Sequence, residues 1–518
     1  MAELRRVSSL LILTFLLSGV VAAQSRRPNI IFMMSDDHAY QAISAYGHGL
    51  NQTPQIDRLA ASGMLFTRAF VSNSICGPSR AVFLTGKHSH KNGFKDNHSR
   101  FNGDQQTVVK LLKQAGYQTA ITGKWHLVSD PQGFDYWNIL PGQGDYYNPR
   151  FIENGVVKNY AGYVTNLTAE LAMQWLDKRD TSRPFFLVCN QKAPHRNWMP
   201  EQKYLNLFDS TEFPVPANYF DDYAGRGRAA REQEMEVAND MHPYYDLKLG
   251  LDLQASERVG LSAAWQNIFN RLNPQEKAGW TKAYGPVIDA YRARSPQGKE
   301  LAILKYQRYM RDYLRCVQSV DDNVGRMLDY LKDRGLDDNT IVVYTSDQGF
   351  YLGEHGWFDK RFMYEESFRT PLIIRWPGVT SAGSRSASLV QNIDMAETLL
   401  EMAGLPIPSD MQGMSMVPVL NGRRRGNLHD GLYYHFYENQ EHGVAKHFGI
   451  RTDRYKLIYF YELGEWELYD LVKDPSEMRS VYDQSSYAAV RKRMRTSLQR
   501  LVDQYDDADA RAALVASR

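Results

Sequence analysis

Short apolar runs alternate with helical patterns along most of the chain from Arg26 onward. The runs are rich in β-branched residues, and several are apolar throughout, which is typical of strands buried on both faces of a parallel sheet. This alternation predicts an α/β fold with helices packed on a large sheet. The predicted strands are Asn29–Met34, Thr119–Ile121, Phe185–Val188, Thr340–Tyr344 and Leu372–Arg375.

Helical periodicity fills the segments between these runs. The predicted helices cover Thr107–Ala115, Leu301–Arg334 and Asp394–Ala403, and Gly335 suits the end of the second. Residues 198–298 differ, because they are charged, aromatic and poor in strand signals. We interpret them as a mostly helical insertion over the main sheet, without a catalytic signature.

Beyond the basic turn Arg423–Gly426, the pattern becomes that of an antiparallel sheet followed by one amphipathic helix, Tyr487–Tyr505. The predicted strands in this region are Leu432–Tyr437, His447–Arg451, Tyr455–Tyr461 and Glu465–Tyr469. We therefore expect a first domain over residues 24–425 and a smaller C-terminal α+β subdomain over residues 426–518.

The first 23 residues have the pattern of a signal peptide. Arg5 and Arg6 precede the apolar run Leu10–Val21, and Ala22-Ala23 completes a small-residue cleavage site. About 12 apolar residues are too few for a membrane span, and an uncleaved anchor is the alternative. No second stretch is long enough to span a bilayer, so we expect a mature protein without a transmembrane segment, exported to the periplasm or secreted.

Charge and composition exclude several classes of protein. The 518 residues contain 61 Lys and Arg against 59 Asp and Glu, a balance that does not favour binding to nucleic acid. A hydrophobic content of 43% excludes a disordered chain. The three cysteines, Cys76, Cys189 and Cys316, exclude a disulfide framework.

Acidic and amide side chains follow two of the predicted strands, at the edge where open α/β sheets bind ligands. Asp36 and Asp37 come directly after the first strand, and Asp347 and Gln348 follow the fourth. Adjacent side chains of a strand point to opposite faces, so Asp36 and Asp37 can meet one cation only if the chain turns there. Oxygen donors suit Ca²⁺ or Mg²⁺, which predicts a cation site. Solvated acidic turns are the alternative.

A cysteine motif, Cys76-Gly77-Pro78-Ser79-Arg80, precedes an apolar segment that ends at Gly86. Pro78 suits the first turn of a helix and Gly86 suits its end, so Cys76 is predicted at a helix N-terminus. The helix dipole favours an anion there, and we expect a reactive thiol of low pKa. A buried, inert cysteine is the alternative.

Cationic side chains follow the other strands. In an extended segment after Thr119–Ile121, Lys124 and His126 share a face that can bind an oxyanion. His195 follows Phe185–Val188, and Lys360 lies downstream of the fourth strand. Each has a structural alternative when taken alone. Together with the cation site and Cys76, they suit attack on an anionic ester, in which positive groups neutralise the developing charge.

The motif Cys76–Arg80, followed by Leu84-Thr85-Gly86, resembles the C-x-P-x-R and L-T-G pattern of the type I sulfatases of the alkaline-phosphatase superfamily. The resemblance extends from Pro28 to about Pro475. It implies an α/β/α sandwich with a large mixed sheet and a smaller C-terminal antiparallel sheet with a packed helix. It also implies a calcium-dependent sulfuric ester hydrolase.

The resemblance further implies that Cys76 is oxidised to formylglycine by a formylglycine-generating enzyme or an anaerobic sulfatase-maturating enzyme. One hydroxyl of the hydrated aldehyde, a gem-diol, attacks sulfur and expels the sugar alcohol. The other hydroxyl then loses its proton, and the diol collapses to release sulfate. A serine in its place would leave a sulfated enzyme that hydrolyses slowly.

The family's roles carry over onto matching positions of this chain. The residues that resemble ligands of one Ca²⁺ are Asp36, Asp37, Asp347 and Gln348, with the residue made from Cys76. Many relatives carry Asn at the position of Gln348, and Gln keeps the amide oxygen on a longer arm.

Five cationic positions have implied roles in catalysis. Arg80 would hold the residue made from Cys76, and Lys124 and Lys360 would bind the sulfate oxygens. His126 would assist deprotonation of the diol, and His195 would protonate the leaving oxygen.

Residues 353–378 resemble the subgroup of N-acetylglucosamine-6-sulfatases and mucin- or heparan-desulfating enzymes. The implied substrate is a glycan that carries 6-O-sulfate on N-acetylglucosamine. Asp359, next to Lys360, is a candidate for hydrogen bonds to sugar hydroxyls, and His435 is a second candidate for which we favour a structural role. A phosphonate or phosphate ester hydrolase, another glycosaminoglycan sulfatase and a non-catalytic glycan-binding protein are the alternatives.

Overall fold

The computed structural model describes residues 27–438 and 441–517, so the predicted signal peptide lies outside the described residues. The strands of the large sheet are β1 Asn29–Ser35, β2 Met64–Phe70, β3 Gln118–Lys124, β4 Tyr136–Leu140, β5 Arg150–Glu153, β6 Val156–Asn159, β7 Phe185–Asn190, β8 Thr340–Ser346, β9 Arg369–Arg375, β10 Ser384–Ser386 and β11 Val390–Gln391. The strands of the small sheet are β12 Leu432–Phe436, β13 His447–Arg451, β14 Tyr455–Phe460 and β15 Glu465–Asp470.

Helices flank both sheets. They are α1 Pro54–Ser62, α2 Cys76–Thr85, α3 Ser89–Asn92, α4 Val108–Gln114, α5 Val164–Lys178, α6 Arg228–Glu232, α7 Leu261–Phe269, α8 Pro274–Arg294, α9 Gly298–Asp333, α10 Glu365–Phe368, α11 Met395–Met402, α12 Val417–Leu420, α13 Ala488–Gln504 and α14 Ala508–Ala516. The three predicted helices of the first domain correspond to α4, α9 and α11, and Gly335 follows α9 in the left-handed conformation with φ +61°. Within residues 27–438 and 441–517, no helix combines the length and apolar composition that a bilayer span requires.

The large sheet is mixed, as the resemblance implied. Its eleven strands lie in the order β10-β2-β9-β8-β1-β7-β3-β4-β5-β6, with β11 also paired to β2. Strands β8, β1, β7, β3 and β4 are parallel, so their carboxyl ends share one edge. The strand predicted at Leu372–Arg375 is part of β9, which runs antiparallel to β8 after a connection without a crossover helix of the usual length.

Both faces of the large sheet are buried. In β1, Ile31 and Met33 pack into one hydrophobic cluster, while Ile30 and Phe32 pack into another on the opposite face. A strand buried on both faces needs apolar side chains at every position, which explains the continuous apolar runs of the sequence.

Residues 198–298 are helical only in their second half. Helices α7 and α8 lie there, whereas residues 198–260 contain only α6 and short 3-10 turns, so the prediction of a mostly helical insertion is wrong for that part. Prolines at positions 200, 214, 216 and 243 interrupt helical hydrogen bonding. Aromatic side chains hold the segment in place, since Trp198, Phe213 and Trp265 belong to the same core cluster as α9.

The C-terminal sheet matches its predicted strands closely and has the order β12-β13-β14-β15. One face, with Tyr434 and Ile458, packs against Phe70 and Trp357 of the first domain. The other face, with residues such as Leu457, packs against α13. The two sides of the sheet therefore join the first domain and the last helices, and the domain boundary near residue 425 stays a prediction.

Candidate active site

The parallel strands bring the predicted polar clusters to one edge of the large sheet. Ser35 of β1 pairs in register with Ser346 of β8, so the residues that follow each strand are neighbours. Lys124 ends β3, two strands away from β1 across β7. His195 lies in the loop after β7. The topology therefore gathers side chains that are far apart in the sequence.

The chain turns at Asp37, and such a turn is required if Asp36 and Asp37 are to bind the same cation. Asp37 has φ +63°, in the left-handed region that non-glycine residues seldom adopt. Its backbone N–H donates a hydrogen bond to Asp347 Oδ1 at 3.1 Å. One oxygen from each of Asp36, Asp37 and Asp347 lies within 4.8 Å of the others. The three carboxylates thus converge on a space that one ion can occupy.

Two buried oxygens of this cluster lack a hydrogen-bond partner, Asp36 Oδ1 and Gln348 Oε1. The amide nitrogen of Gln348 instead donates to Asp37 Oδ1 and lies 3.6 Å from Cys76 Sγ. Because unpaired buried oxygens are costly, the donor set fits a hard cation such as Ca²⁺, which oxygen ligands bind.

The three carboxyl groups respond differently to the same burial. Burial raises the pKa of Asp347 to about 7, and the neighbouring Asp36 adds to this effect. Burial also raises the pKa of Asp37, although Lys360 opposes it. For Asp36 the attraction of Lys124, His195 and Arg80 outweighs burial and holds the pKa well below its usual range. A cation between these groups would favour the charged form of all three.

Cys76 opens helix α2, as predicted, and Gly86 ends the helix with φ +63°. The expectation of a thiol of low pKa is wrong. Burial raises the pKa of Cys76, and the carboxylate of Asp36 raises it further, against the opposing effect of Lys124. Desolvation thus outweighs the attraction of the nearby lysines, and the unmodified thiol is not an activated nucleophile in this setting.

Arg80 supports the site from beneath. Its Nε and Nη2 atoms lie 3.0 and 2.8 Å from Asp347 Oδ2, and its Nη1 donates to the carbonyl of Lys124 at 3.0 Å. The guanidinium is 2% exposed. Arg80 therefore links the cysteine helix to Asp347, which follows β8, and to Lys124 at the end of β3.

The two lysines lie against the acidic cluster. Lys124 Nζ forms an ion pair with Asp36, and Lys360 Nζ lies 2.8 Å from the carboxylate of Asp37. Although burial opposes it, the charges of Asp359 and Asp37 raise the pKa of Lys360 well above its usual range. Both ammonium groups therefore lie at the acidic cluster beside Cys76.

The two histidines also reach this edge. His126 has φ +58°, so the expectation that an extended segment places Lys124 and His126 on one face is wrong in its geometry. His126 Nδ1 is nonetheless buried without a hydrogen-bond partner, and His195 Nε2 lies 3.7 Å from Asp37 Oδ2. Burial, reinforced by Lys124, lowers the pKa of both imidazoles well below the usual value.

A cavity of about 360 Å³ opens in front of Cys76. It is lined by Cys76, Asn97, Gln143, His195, Arg196, Tyr245, Leu261, Asp359, Lys360, Arg361, Glu441 and His442. The substrate candidate Asp359 lies in this wall. His435 does not, and its Nδ1 instead lies 2.7 Å from Asp507 Oδ2, which agrees with the structural role.

Sequence reasoning missed several lining residues, of which Asn97 is the most closely tied to Cys76. Asn97 Oδ1 accepts a hydrogen bond of 3.0 Å from the backbone N–H of Gly77, which orients the amide so that its NH₂ group is left as a donor. A Cβ atom at Gly77 would lie 2.5 Å from Phe94 Cε1 and 2.9 Å from Asn97 Oδ1, so these two neighbours together explain this glycine. No motif in the sequence marks Asn97 as part of the site.

Tyr245 and Leu261 come from the insertion that carried no catalytic signature, and His442 comes from the loop between β12 and β13. These residues reach the cavity only through long-range packing, so no local pattern identifies them. Arg361 was detectable, since it adjoins Lys360 in the sequence.

The fold and this site define a hydrolase of the alkaline-phosphatase-like class, with a cysteine motif at an acidic cluster. The chain belongs to the sulfatase family, whose family model matches residues 28–405, and it is therefore a sulfuric ester hydrolase. A second model, N-sulphoglucosamine sulphohydrolase, C-terminal, matches residues 353–504. The second match spans residue 425, so it does not test the domain boundary predicted there.

Individual relatives are similar over most of the chain. N-acetylglucosamine-6-O-sulfatase of Bacteroides thetaiotaomicron is 50% identical over 94% of this chain and 88% of its own length. Human N-acetylglucosamine-6-sulfatase is 27% identical over 78% of this chain and 66% of its own. The solved structure of BT4656 in complex with its substrate D-glucosamine-2-N,6-O-disulfate superposes with a TM-score of 0.90 at 50% identity, covering 93% of this chain and 99% of that one.

The same fold occurs with another activity. The phosphonate monoester hydrolase of Agrobacterium radiobacter superposes with a TM-score of 0.68 at 22% identity, covering 92% of this chain and 96% of that one. This likeness shows the shared architecture alone.

Proposed function

We propose that this chain is a calcium-dependent sulfatase that removes 6-O-sulfate from N-acetylglucosamine in heparan- or mucin-type glycans, with formylglycine made from Cys76. The main support is the relative from B. thetaiotaomicron, which is 50% identical over nearly the whole chain and is named N-acetylglucosamine-6-O-sulfatase. The acidic cluster beside Cys76 supports the same reaction chemistry.

Asp36, Asp37, Asp347 and Gln348 would hold the calcium ion, with residue 76 at the same cluster. A bound cation withdraws negative charge from sulfate oxygens, and this lowers the cost of attack at sulfur. The two unpartnered oxygens, Asp36 Oδ1 and Gln348 Oε1, are the atoms that support this assignment most directly.

Formylglycine at position 76 supplies a hydroxyl nucleophile after hydration. Arg80 keeps Asp347 in place behind it through two hydrogen bonds. Lys124 and Lys360 bind the sulfate oxygens and stabilise the charge that develops on them during attack. The short span between these groups and Cys76 orients the sulfate for displacement of the sugar oxygen.

His195 protonates the sugar oxygen as the bond between sulfur and that oxygen breaks. Burial and Lys124 lower the pKa of His195, so at rest the imidazole favours its neutral form. A bound sulfate is an anion and raises this pKa, which would allow the imidazole to take up a proton from solvent and donate it to the sugar oxygen, while the attacking hydroxyl releases its own proton to solvent. His126 accepts the proton of the second hydroxyl, and sulfate then leaves as the aldehyde forms again.

We also propose that a formylglycine-generating enzyme or an anaerobic sulfatase-maturating enzyme modifies Cys76, and that the chain is exported to the periplasm or secreted. Both follow from the motif Cys76–Arg80 and the N-terminal segment of the sequence. Mass spectrometry of the peptide that contains Cys76 tests the first, because conversion of a thiol to an aldehyde lowers its mass. A peptide that keeps the thiol after co-expression with either maturation system would reject it.

The test of the function is sulfate release by the matured protein from N-acetylglucosamine 6-sulfate, compared with the 3-sulfated and 4-sulfated isomers. We expect selective release from the 6-sulfated sugar. Turnover of an aryl sulfate and an aryl phosphonate is measured in parallel. Absence of release from every sulfated sugar, or a large preference for the phosphonate, would reject the proposal.

A further inference from the structure

His442 joins three separate segments above the cavity. It lies between β12 and β13 of the C-terminal sheet, and its backbone carbonyl accepts a hydrogen bond of 2.7 Å from the N–H of Glu234 in the insertion. Its ring packs edge-on against Phe358, with centroids 5.5 Å apart. The insertion, the loop before Lys360 and the C-terminal sheet therefore meet at one side chain.

The two ring nitrogens of His442 have different partners. Nδ1 lies 2.8 Å from the carbonyl oxygen of Glu234, and since a carbonyl only accepts, Nδ1 carries a proton. Nε2 lies 2.9 Å from Asp359 Oδ2, an ion pair that requires a proton on Nε2 as well, and Arg196 Nη1 lies 3.3 Å from the same nitrogen. An imidazole attached at both ends has a fixed ring plane, so Nε2 defines where the carboxylate of Asp359 rests.

Asp359 needs this external support. It has φ +74°, an unfavourable backbone conformation for aspartate, and it is buried in the cavity wall. Its Oδ1 lies 2.8 Å from Arg361 Nη1, but without the geometry of a hydrogen bond. Oδ1 is buried and also lies 3.5 Å from Lys360 Nζ, and Oδ2 faces His442, so these contacts fix the orientation of the carboxylate in the cavity wall.

We infer that His442 is a positioning residue that fixes the Asp359 carboxylate for recognition of sugar hydroxyls, by tying it to the backbone of the insertion. The inference rests on the proposed function, because the ligand of Asp359 is then the sulfated sugar. It assigns the insertion a role in specificity that its sequence did not suggest. His442 would act through Asp359, without contact to the sulfate or the reacting atoms.

Two substitutions separate the two ends of the imidazole. In His442→Gln the side-chain nitrogen takes the place of Nε2 and can still bind Asp359, whereas in His442→Asn it takes the place of Nδ1 and cannot. We expect His442→Asn to raise the KM for N-acetylglucosamine 6-sulfate about tenfold, as expected for loss of a hydrogen bond to a charged group, with a smaller change in kcat. His442→Gln is expected to restore most of the loss.

A double-mutant cycle tests whether His442 acts through Asp359. If it does, His442→Asn adds no further increase in KM to Asp359→Asn, because the group that it positions is already altered. The exposed His48→Asn is the matched control and is expected to leave KM unchanged. Thermal unfolding midpoints of all variants show whether a loss of activity results from misfolding.

The outcomes separate the proposed function from the role of His442. A wild-type enzyme that releases no sulfate from the sugar would reject the proposed function and, with it, this inference. An active wild-type enzyme in which the effects of His442→Asn and Asp359→Asn multiply independently would overturn the inference alone. Equal increases in KM for His442→Gln and His442→Asn would overturn the inference as well.

Discussion

Two buried clusters of this protein contain carboxylates, and the clusters differ in how completely the carboxylate oxygens are hydrogen-bonded. Asp507 Oδ2 lies 2.7 Å from His435 Nδ1 and accepts a hydrogen bond of 2.9 Å from Tyr433, and Asp507 Oδ1 accepts one from the N–H of Ala510. At the edge of the large sheet, by contrast, Asp36 Oδ1 has no hydrogen-bond partner. Saturated carboxylates hold a fold together, whereas unsatisfied ones indicate a site that a ligand completes.

The electrostatics of the clusters follow the same division. Burial opposes the charged form of Asp507, but the hydrogen bond and charge of His435 prevail and lower its pKa far below the usual range. Burial and the adjacent Asp36 raise the pKa of Asp347 to about 7, although the positive charge of Arg80 favours the charged form of this carboxyl group. The first group is stable as an anion without any ligand, and the second is not.

Replacement of Cys76 should give the largest effect. Cys76→Ala has neither a thiol nor a hydroxyl and cannot become the aldehyde, so we expect sulfate release to fall by a factor of about a thousand or more. A steady-state assay of the matured protein measures this loss. Cys316→Ala, which alters another buried cysteine outside the cavity lining, should retain activity. A Cys76→Ala enzyme with near-normal turnover would remove the chemical distinction between the two clusters.

Removal of the metal should have the next largest effect. Chelation should abolish sulfate release, and added calcium should restore it. In metal-free protein the raised pKa of Asp347 stabilises the fold in its protonated form, so this contribution is complete below the unfolded value of about 3.9 and is lost as pH rises through about 7.

Thermal unfolding across this pH range, with and without calcium, measures the loss. Asp347→Asn should flatten the pH dependence of the metal-free protein, since the titrating group is absent. Unfolding midpoints that are equal with and without calcium would contradict a metal at this cluster.

Replacement of Asn97 should have an intermediate effect on activity. Asn97→Ala removes both the acceptor for the Gly77 N–H and the donor into the cavity, and we expect kcat/KM to fall about tenfold to a hundredfold. Asn97→Asp keeps the acceptor and loses the donor. If both variants lose activity equally, the donor matters to the substrate; if Asn97→Asp is active, Asn97 only supports the helix. The exposed neighbour His98→Ala serves as the control.

The smallest effect on catalysis is expected at the saturated cluster. Asp507→Asn should lower the free energy of unfolding by about 1–3 kcal/mol while kcat stays within about threefold. Because the pKa of Asp507 is lowered in the fold, its contribution is present above the unfolded value of about 3.9 and is lost as pH falls below it. Chemical denaturation at neutral and acidic pH measures this, with the exposed Asp506→Asn as control. A strong loss of kcat would place the cluster in the catalytic machinery.

Local patterns predicted most of the secondary structure correctly. Strands β1, β7 and β8 and helices α4 and α13 form where apolar periodicity and turn residues indicate them, since those signals act over a few residues. The prediction is wrong for residues 198–260, where prolines and aromatic packing replace helical hydrogen bonds. The local pattern did not predict the direction of β9, because pairing direction depends on the path of the connection.

The sequence by itself determined the chemistry available: the cysteine motif, the acidic pairs after two strands and the cations after two others. Only the tertiary structure decided which of these act together, because β8, β1, β7 and β3 must lie side by side before Asp347, Asp36 and Lys124 can meet. It also decided that Cys76 is buried beside Asp36, which raises the pKa of its thiol. The contacts of Asn97 and His442 have no local signal, since each depends on a partner brought close by folding.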